Sequence, residues 1–280
     1  MKKNNLEKIF QKHNEALRNP AEIFAGNFES TGITEKVLEF KADTGMVEVL
    51  NKLKISLVLT REYENLALCF SVIKNKIEQT FFHLPHPSGI VYDKSKKSLY
   101  IAGTRNPNQI IHFKKMKNES LMPIRSKFFS GNHYIHDLVL IGGEIYANAV
   151  GKNAIVKIDM NSSESPSIVW WPKSIEKNKV PDFSKNYIQL NSISAGKKIS
   201  DSYFTASSSN VAKFRPGDLE YKVDGEGVIF DGKTRNVVAK GLTRPHSLRN
   251  YKNKLYVDNS GHGQFGVVDL DKKIFVPKIK

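Results

Sequence analysis

The chain has 280 residues, 40% of them hydrophobic, with 16 Phe, 10 Tyr and 2 Trp, enough for a large core within one all-β domain. Its formal charge of +15 is scattered through turns rather than gathered in blocks, which argues against a nucleic-acid tail and for a basic, solvated surface that attracts acidic ligands. The single cysteine, Cys69 in the apolar run LALCFSV, excludes an internal disulfide and reads as a small buried hydrophobe.

No apolar run approaches the ~18 residues of a membrane span. The start, MKKNNLEKIFQKHNEAL, lacks the apolar h-region and cleavage site of a signal peptide. A cytoplasmic location is therefore expected, without membrane or nucleic-acid partners. Leu6, Ile9, Phe10, His13 and Leu17 recur at helical spacing before Pro20, and Met46, Val49, Leu50 and Leu53 predict a second helix capped by Asp43 or Thr44. Residues 1–54 thus form an N-terminal helical extension, whose first helix docks on the body or on a partner.

From Ser56 the period becomes that of strands. SLVLTRE, NLALCFSV and KIEQTFFHL read as three consecutive strands. SLVLTREYENLALCF aligns with SLYIAGTRNPNQIIHF, so the first unit starts at the second strand of the repeat and lacks an innermost one. Four further units follow, giving an all-β propeller over 55–280 with blades near 55–83, 86–130, 134–172, 188–241 and 244–280. The stretch 172–187 and the insertion 207–225 read as long surface connections, the second overhanging a ligand entrance. Trp170 and Trp171 predict one indole packed between blades and one near the surface.

Each inner strand opens with a polar residue in a fixed slot: Ser88, His136, Asn191 and His246, spaced 48, 55 and 55 residues apart. In a propeller these positions converge on one mouth of the central channel. Imidazole there serves as metal ligand or general acid and base. Asp137, the neighbour of His136, is expected to orient backbone or the next blade, because adjacent strand residues point to opposite faces. The ends of the second strands add Arg61, Arg105, Asn148, Asp258 and Asn259 as candidate ligand-binding residues, the arginines being fixed donors for carboxylate or phosphate. The alternative for all of these is structural: buried polar groups at strand starts satisfy backbone between blades. His86, His133 and His262 read as turn residues, and His83 and His112 as surface or packing residues. Zinc-type Cys/His spacing, a phosphate-cradling glycine loop and a nucleophile elbow are all missing.

Specific motifs, among them TREYENL, PHPSGIVYD, IHDLVLIGGEIYANAVGKNAIV, DGEGVIF, GLTRPHSLR and VDNSGHGQFGVV, resemble an uncharacterised bacterial β-propeller family catalogued as a domain of unknown function. The resemblance runs from about Thr31 to Val268. It implies a six-bladed ring, of which the last blade is missing here. More distantly, the chain is similar to the gluconolactonase and luciferin-regenerating-enzyme propellers, whose inner strands hold an axial divalent cation. Of those ligand slots only Asn191 keeps its type. Two ligands have become His136 and His246, a set that leans toward Zn²⁺, Mn²⁺ or Fe²⁺ rather than Ca²⁺.

The sequence therefore predicts a propeller that binds a small polar or anionic, sugar-acid-like ligand at the channel mouth. Lactone hydrolysis or isomerisation by His136 and His246 is the accompanying expectation. The expected cofactor is at most one divalent metal ion, held by His136, Asn191 and His246. The alternatives are a non-catalytic scaffold, recruiting a protein through the N-terminal helix or an open blade edge, and a truncated, inactive relative.

Overall fold

A computed structural model describes residues 35–104, 108–116, 120–184, 186–211 and 224–279. The expected first helix, near 6–17, lies outside the described residues. Two α-helices are described, α1 (Glu35–Leu38) and α2 (Thr44–Leu53). Asp43 caps α2 as expected, its carboxylate accepting from the Met46 amide at 2.8 Å. Neither helix is long and apolar enough to cross a membrane.

The rest is antiparallel sheet. The first sheet has three strands, β1 (Leu57–Arg61), β2 (Leu66–Ile73) and β3 (Lys76–His83), in the expected place and without an innermost strand among the described residues. The second is β4 (Pro87–Asp93), β5 (Ser98–Gly103), β6 (Gln109–Lys115) and β7 (Leu121–Phe128). The third is β8 (Ile135–Ile141), β9 (Glu144–Ala149), β10 (Ala154–Ile158) and β11 (Ser167–Trp170). A two-residue hairpin, β12 (Glu176–Lys177) with β13 (Val180–Pro181), decorates the connection that follows. The fourth sheet is β14 (Leu190–Ser194), β15 (Tyr203–Ala206), β16 (Gly227–Asp231) and β17 (Val237–Leu242). The fifth is β18 (Pro245–Tyr251), β19 (Lys254–Asn259), β20 (Gln264–Asp269) and β21 (Ile274–Ile279).

Each sheet is a meander in chain order, and the inner strands β4, β8, β14 and β18 pack on one another in sequence. This is the blade arrangement of a β-propeller. Apolar clusters fill the spaces between sheets. Trp170 of the third sheet lies 4.0 Å, ring to ring, from Phe204 of the fourth, and its indole N–H donates to Gly232 O at 2.9 Å. Trp171 stays nearer the surface, under the Arg235 guanidinium. Both tryptophans thus occupy their expected environments. Cys69 is half-buried rather than buried, because β2 belongs to the least covered sheet.

Antiparallel order fixes which connections share an end. The slots, the turns between second and third strands, and the crossings to the next blade all lie at one end of the sheets. The described residues of the long connection 171–189, and 207–211 with 224–226 between β15 and β16, are therefore at the slot end. At the other end the inner hairpins turn within a few residues, as at Gly142–Gly143 and Lys252–Asn253. Loop length, and with it the scope for a binding site, is concentrated at the end the slots define.

Candidate functional site

All four slots are built alike. Two residues before each slot the backbone enters the left-handed region without glycine: His86 (φ 44°), Tyr134 (56°), Gln189 (50°) and Arg244 (48°). Each such residue costs on the order of 1 kcal/mol or more. A register shift then interrupts pairing with the second strand, between Pro87 and Ile90, Ile135 and Leu138, Leu190 and Ser192, and His246 and Arg249. The slot residue therefore sits on a β-bulge, a device that re-aims a side chain.

The residue after the slot ties one blade to the next. Asp137 Oδ2 accepts from the Ile193 amide at 2.9 Å, and Ser192 Oγ accepts from the Leu248 amide at 3.0 Å. At the corresponding Gly89 a Cβ would stand 2.9 Å from the backbone of Asp137, so only glycine lets β4 close on β8. Asp137 thus orients backbone and a neighbouring blade, as expected.

Several expected ligand-binding residues turn out to be committed elsewhere. Asn148 is fully buried; its oxygen accepts from the His136 and Asp137 amides, and its nitrogen donates to Leu190 O and Asn191 O. Two donated and two accepted bonds exhaust an amide, and none of its capacity is left for a ligand. Asn259 is buried likewise, accepting from the Thr243 amide at 2.6 Å and donating to Gln264 at 3.0 Å. Arg61 donates to Val37 O and pairs with Glu64, both at 2.7 Å, so it anchors α1 to the first sheet. Arg105 lies outside the described residues. Ser88 donates to His136 O at 3.2 Å, and the buried Asn191 donates to Pro245 O at 3.2 Å, so both tie blades together.

The remaining histidines also divide into types. His86 occupies a left-handed turn, His133 is buried beside Phe129, and His112 stacks on Tyr100 at 4.4 Å. His262 sits in the turn before β20, its Nε2 within 3.2 Å of Asp224 and 3.0 Å of Thr243 Oγ1. His136 packs its ring against Tyr134 at 5.2 Å.

His246 is held in a form suited to chemistry. Its Nδ1 lies 2.8 Å from Arg244 O. A carbonyl only accepts, so Nδ1 carries the proton and Nε2 of the neutral ring presents a lone pair. Burial pushes the imidazole below its ordinary pKa, against the opposing pull of the Asp258 and Asp137 carboxylates. The ring is therefore biased toward the neutral form that a base or acceptor needs. Asp258 is the direct cross-strand partner of His246 in the β18–β19 pair, and its carboxylate has no hydrogen-bond partner among the described residues.

Sequence reasoning missed Arg249. Its Nη1 and Nη2 grip Asp137 Oδ2 and Oδ1 at 2.8 and 2.9 Å, and Nη1 also reaches Ile193 O and Leu248 O. One guanidinium thereby joins three consecutive inner strands, β8, β14 and β18. The Asp137 carboxylate helps hold it protonated. The available signal was its place in β18, three residues after the His246 slot and on the same strand.

The expected metal set of His136, Asn191 and His246 gains no support from further ionisable donors. Among the described residues no three His, Cys, Asp or Glu side chains gather around a common point. Asn191 donates its amide nitrogen to Pro245 O, while its Oδ1, the atom that would meet a metal, is buried without a hydrogen-bond partner among the described residues.

Meandering sheets in radial order, with polar slots at their inner strands, define a β-propeller. The chain belongs to the family described as a domain of unknown function, DUF4915, whose model matches residues 44–280. Among solved structures it is similar to a streptogramin B lyase (14% identity, TM-score 0.48, covering 80% of this chain and 65% of that one). Virginiamycin B lyase from Staphylococcus aureus gives 13% identity and a TM-score of 0.48, covering 81% of this chain and 67% of that one. A putative 6-phosphogluconolactonase from Bacteroides uniformis gives 12% and 0.49, covering 80% and 66%. The chain spans about two thirds of the length of these proteins. No curated protein matches it in sequence.

Proposed function

We propose that this propeller binds a small polar ligand at the slot end of its channel, with His246 and Asp258 as the groups that meet it. The observation that carries the reading is the His246 geometry. A half-buried imidazole, its Nδ1–H tied to Arg244 O and its Nε2 left with a lone pair, stands across the strand pair from the Asp258 carboxylate, which has no hydrogen-bond partner among the described residues. Such a pair accepts hydrogen bonds from hydroxyl groups, and Nε2 can take a proton, which suits lactone opening or an isomerisation. His136 occupies the same slot two blades earlier and is the second candidate for proton transfer. No metal-dependent step is included, because among the described residues no three His, Cys, Asp or Glu side chains converge.

The test is a thermal-shift screen of hydroxy acids, lactones and polyols against the wild type and His246→Gln. A ligand that raises the wild-type Tm by several degrees and binds the variant at least about tenfold more weakly supports the reading. Hits that ignore the substitution, or the absence of hits, sink it.

A scaffold role has a specific observation of its own. Val49, Leu53 and Ile55 at and just beyond α2, with Leu59 of β1 and Tyr63, are exposed large hydrophobic residues within one short stretch of chain. Such a group is what a protein partner would cover. Substituting Val49 and Leu53 with Ser should dissociate a complex formed this way, read by size-exclusion chromatography, without altering ligand binding at His246.

A further inference from the structure

We propose that Arg249 is the recognition group of the channel mouth and that the ligand it selects is a hydroxycarboxylate. This rests on the ligand-binding reading above and names the class of ligand.

A guanidinium has two edges that bind carboxylates bidentately, one made by Nη1 and Nη2, the other by Nε and Nη2. Asp137 occupies the first with both oxygens. Nη1 is further engaged by Ile193 O and Leu248 O. Among the described residues nothing takes the second edge, so the Nε–H and the outer Nη2–H form a vacant fork. The two partners of the pair differ sharply in access: the Asp137 side chain is 8% exposed, whereas that of Arg249 is 50% exposed. The carboxylate is buried support and the guanidinium is the presented group. Because it is bonded to β8, β14 and β18 at once, its position is fixed before any ligand arrives, and binding need not order it.

The surroundings specify the rest of the ligand. His246 lies three residues before Arg249 on β18, and both feel the Asp258 carboxylate. Nε2 of His246 and the oxygens of Asp258 are acceptors and demand hydroxyl donors. The fork demands a planar anion. Asp258 and Asp137 make the mouth repel a dianion, which favours a carboxylate over a phosphate. One molecule carrying a carboxylate and neighbouring hydroxyl groups satisfies all of these requirements. The two arginines that the sequence nominated for this task are respectively engaged elsewhere (Arg61) and outside the described residues (Arg105).

The experiment is an NMR titration of the full chain that follows the Nε–H resonance of Arg249 and the imidazole resonances of His246, assigned by Arg249→Lys and His246→Gln. D-gluconate, its neutral counterpart sorbitol, and inorganic phosphate serve as probes. Gluconate is expected to shift both residues, with sorbitol shifting His246 at most weakly and phosphate binding at least tenfold more weakly than gluconate. Arg249→Lys, which keeps the charge and loses the fork, should weaken gluconate at least tenfold. If gluconate and sorbitol shift His246 equally while Arg249 stays still, or if Arg249→Lys binds gluconate unchanged, Arg249 is not the recognition group although the pocket is real. Phosphate matching gluconate overturns the carboxylate assignment. If no probe moves either residue, the hydroxycarboxylate assignment and the pocket reading fall together. The wild-type spectra decide these outcomes even if a variant folds poorly.

Discussion

The first and fourth sheets come from the same repeat and are packed very differently. Every residue of β14 is buried, and Phe204 and Phe230 are sealed between sheets. In β1 no residue is buried, and β3 leaves five of its eight residues exposed, Phe81 among them. The cause is the number of neighbours. The fourth sheet is flanked by the third and the fifth, whereas among the described residues the buried core of the first is shared with the second, through Ala67, Leu84, Leu99, Ile101 and Phe113. Even there the two sheets part at their outer edges, leaving a groove of about 510 Å³ lined by residues such as His83, Ile111, Pro123 and Phe128. A propeller strand is stable through its two faces more than through its own sequence, since apolar burial is worth ~25 cal/mol per Å² wherever it occurs.

That contrast can be broken most forcefully at Phe204. Truncation to Ala should cost about 4 kcal/mol, whereas Phe81→Ala should cost under about 1 kcal/mol, because one ring leaves a cavity and the other leaves solvent. Urea unfolding of both variants measures the difference, and equal losses would refute the neighbour argument.

A somewhat smaller effect belongs to His133 in the third sheet's entry turn, whose pKa burial lowers to about 4 from the 6.5 of a free imidazole. Because the folded value is depressed, protons favour the unfolded chain between these limits. Its contribution to stability is whole above about pH 6.5 and is lost as pH falls toward 4, by about 3 kcal/mol in all. His133→Gln should flatten the pH dependence of Tm in that window.

Third comes Asp137→Asn, which leaves Arg249 without its counter-charge; a loss of roughly 2 kcal/mol is expected, moderated by the exposure of the guanidinium. A double-mutant cycle with Arg249→Met would show coupling, and additivity would mean that the pair does not clamp the inner strands. Smallest is Arg61→Ala in the first sheet, where a solvent-screened pair should cost under about 1 kcal/mol, read by the same unfolding assay.

The repeat was legible because its signal is compositional. Alternating aliphatic strands, polar turns and the Thr-Arg pairs at the ends of two second strands pointed to the blade count, to a first sheet without an inner strand among the described residues, and to the Trp170–Trp171 partition. Side-chain commitments were not legible, since they depend on residues far away in the chain. Nothing in VLIGGEIYAN tells that Asn148 will be spent on Leu190 and Asn191, or that Arg249 will reach 112 residues back to Asp137. A repeat of asparagines before third strands could have been noticed. Asn65, Asn108 and Asn153 each accept an amide from the segment leading into the next inner strand, those of His86, Tyr134 and Ile188. The left-handed residues were hidden for another reason, because His, Tyr, Gln and Arg carry no turn signature.

Those four left-handed entries have a consequence for engineering. Glycine at any one of them relieves local torsional strain, and a stability screen would rank such variants as improvements. The same change loosens the turn that sets each bulge, so on the ligand-binding reading proposed above the more durable protein would also be the less discriminating one.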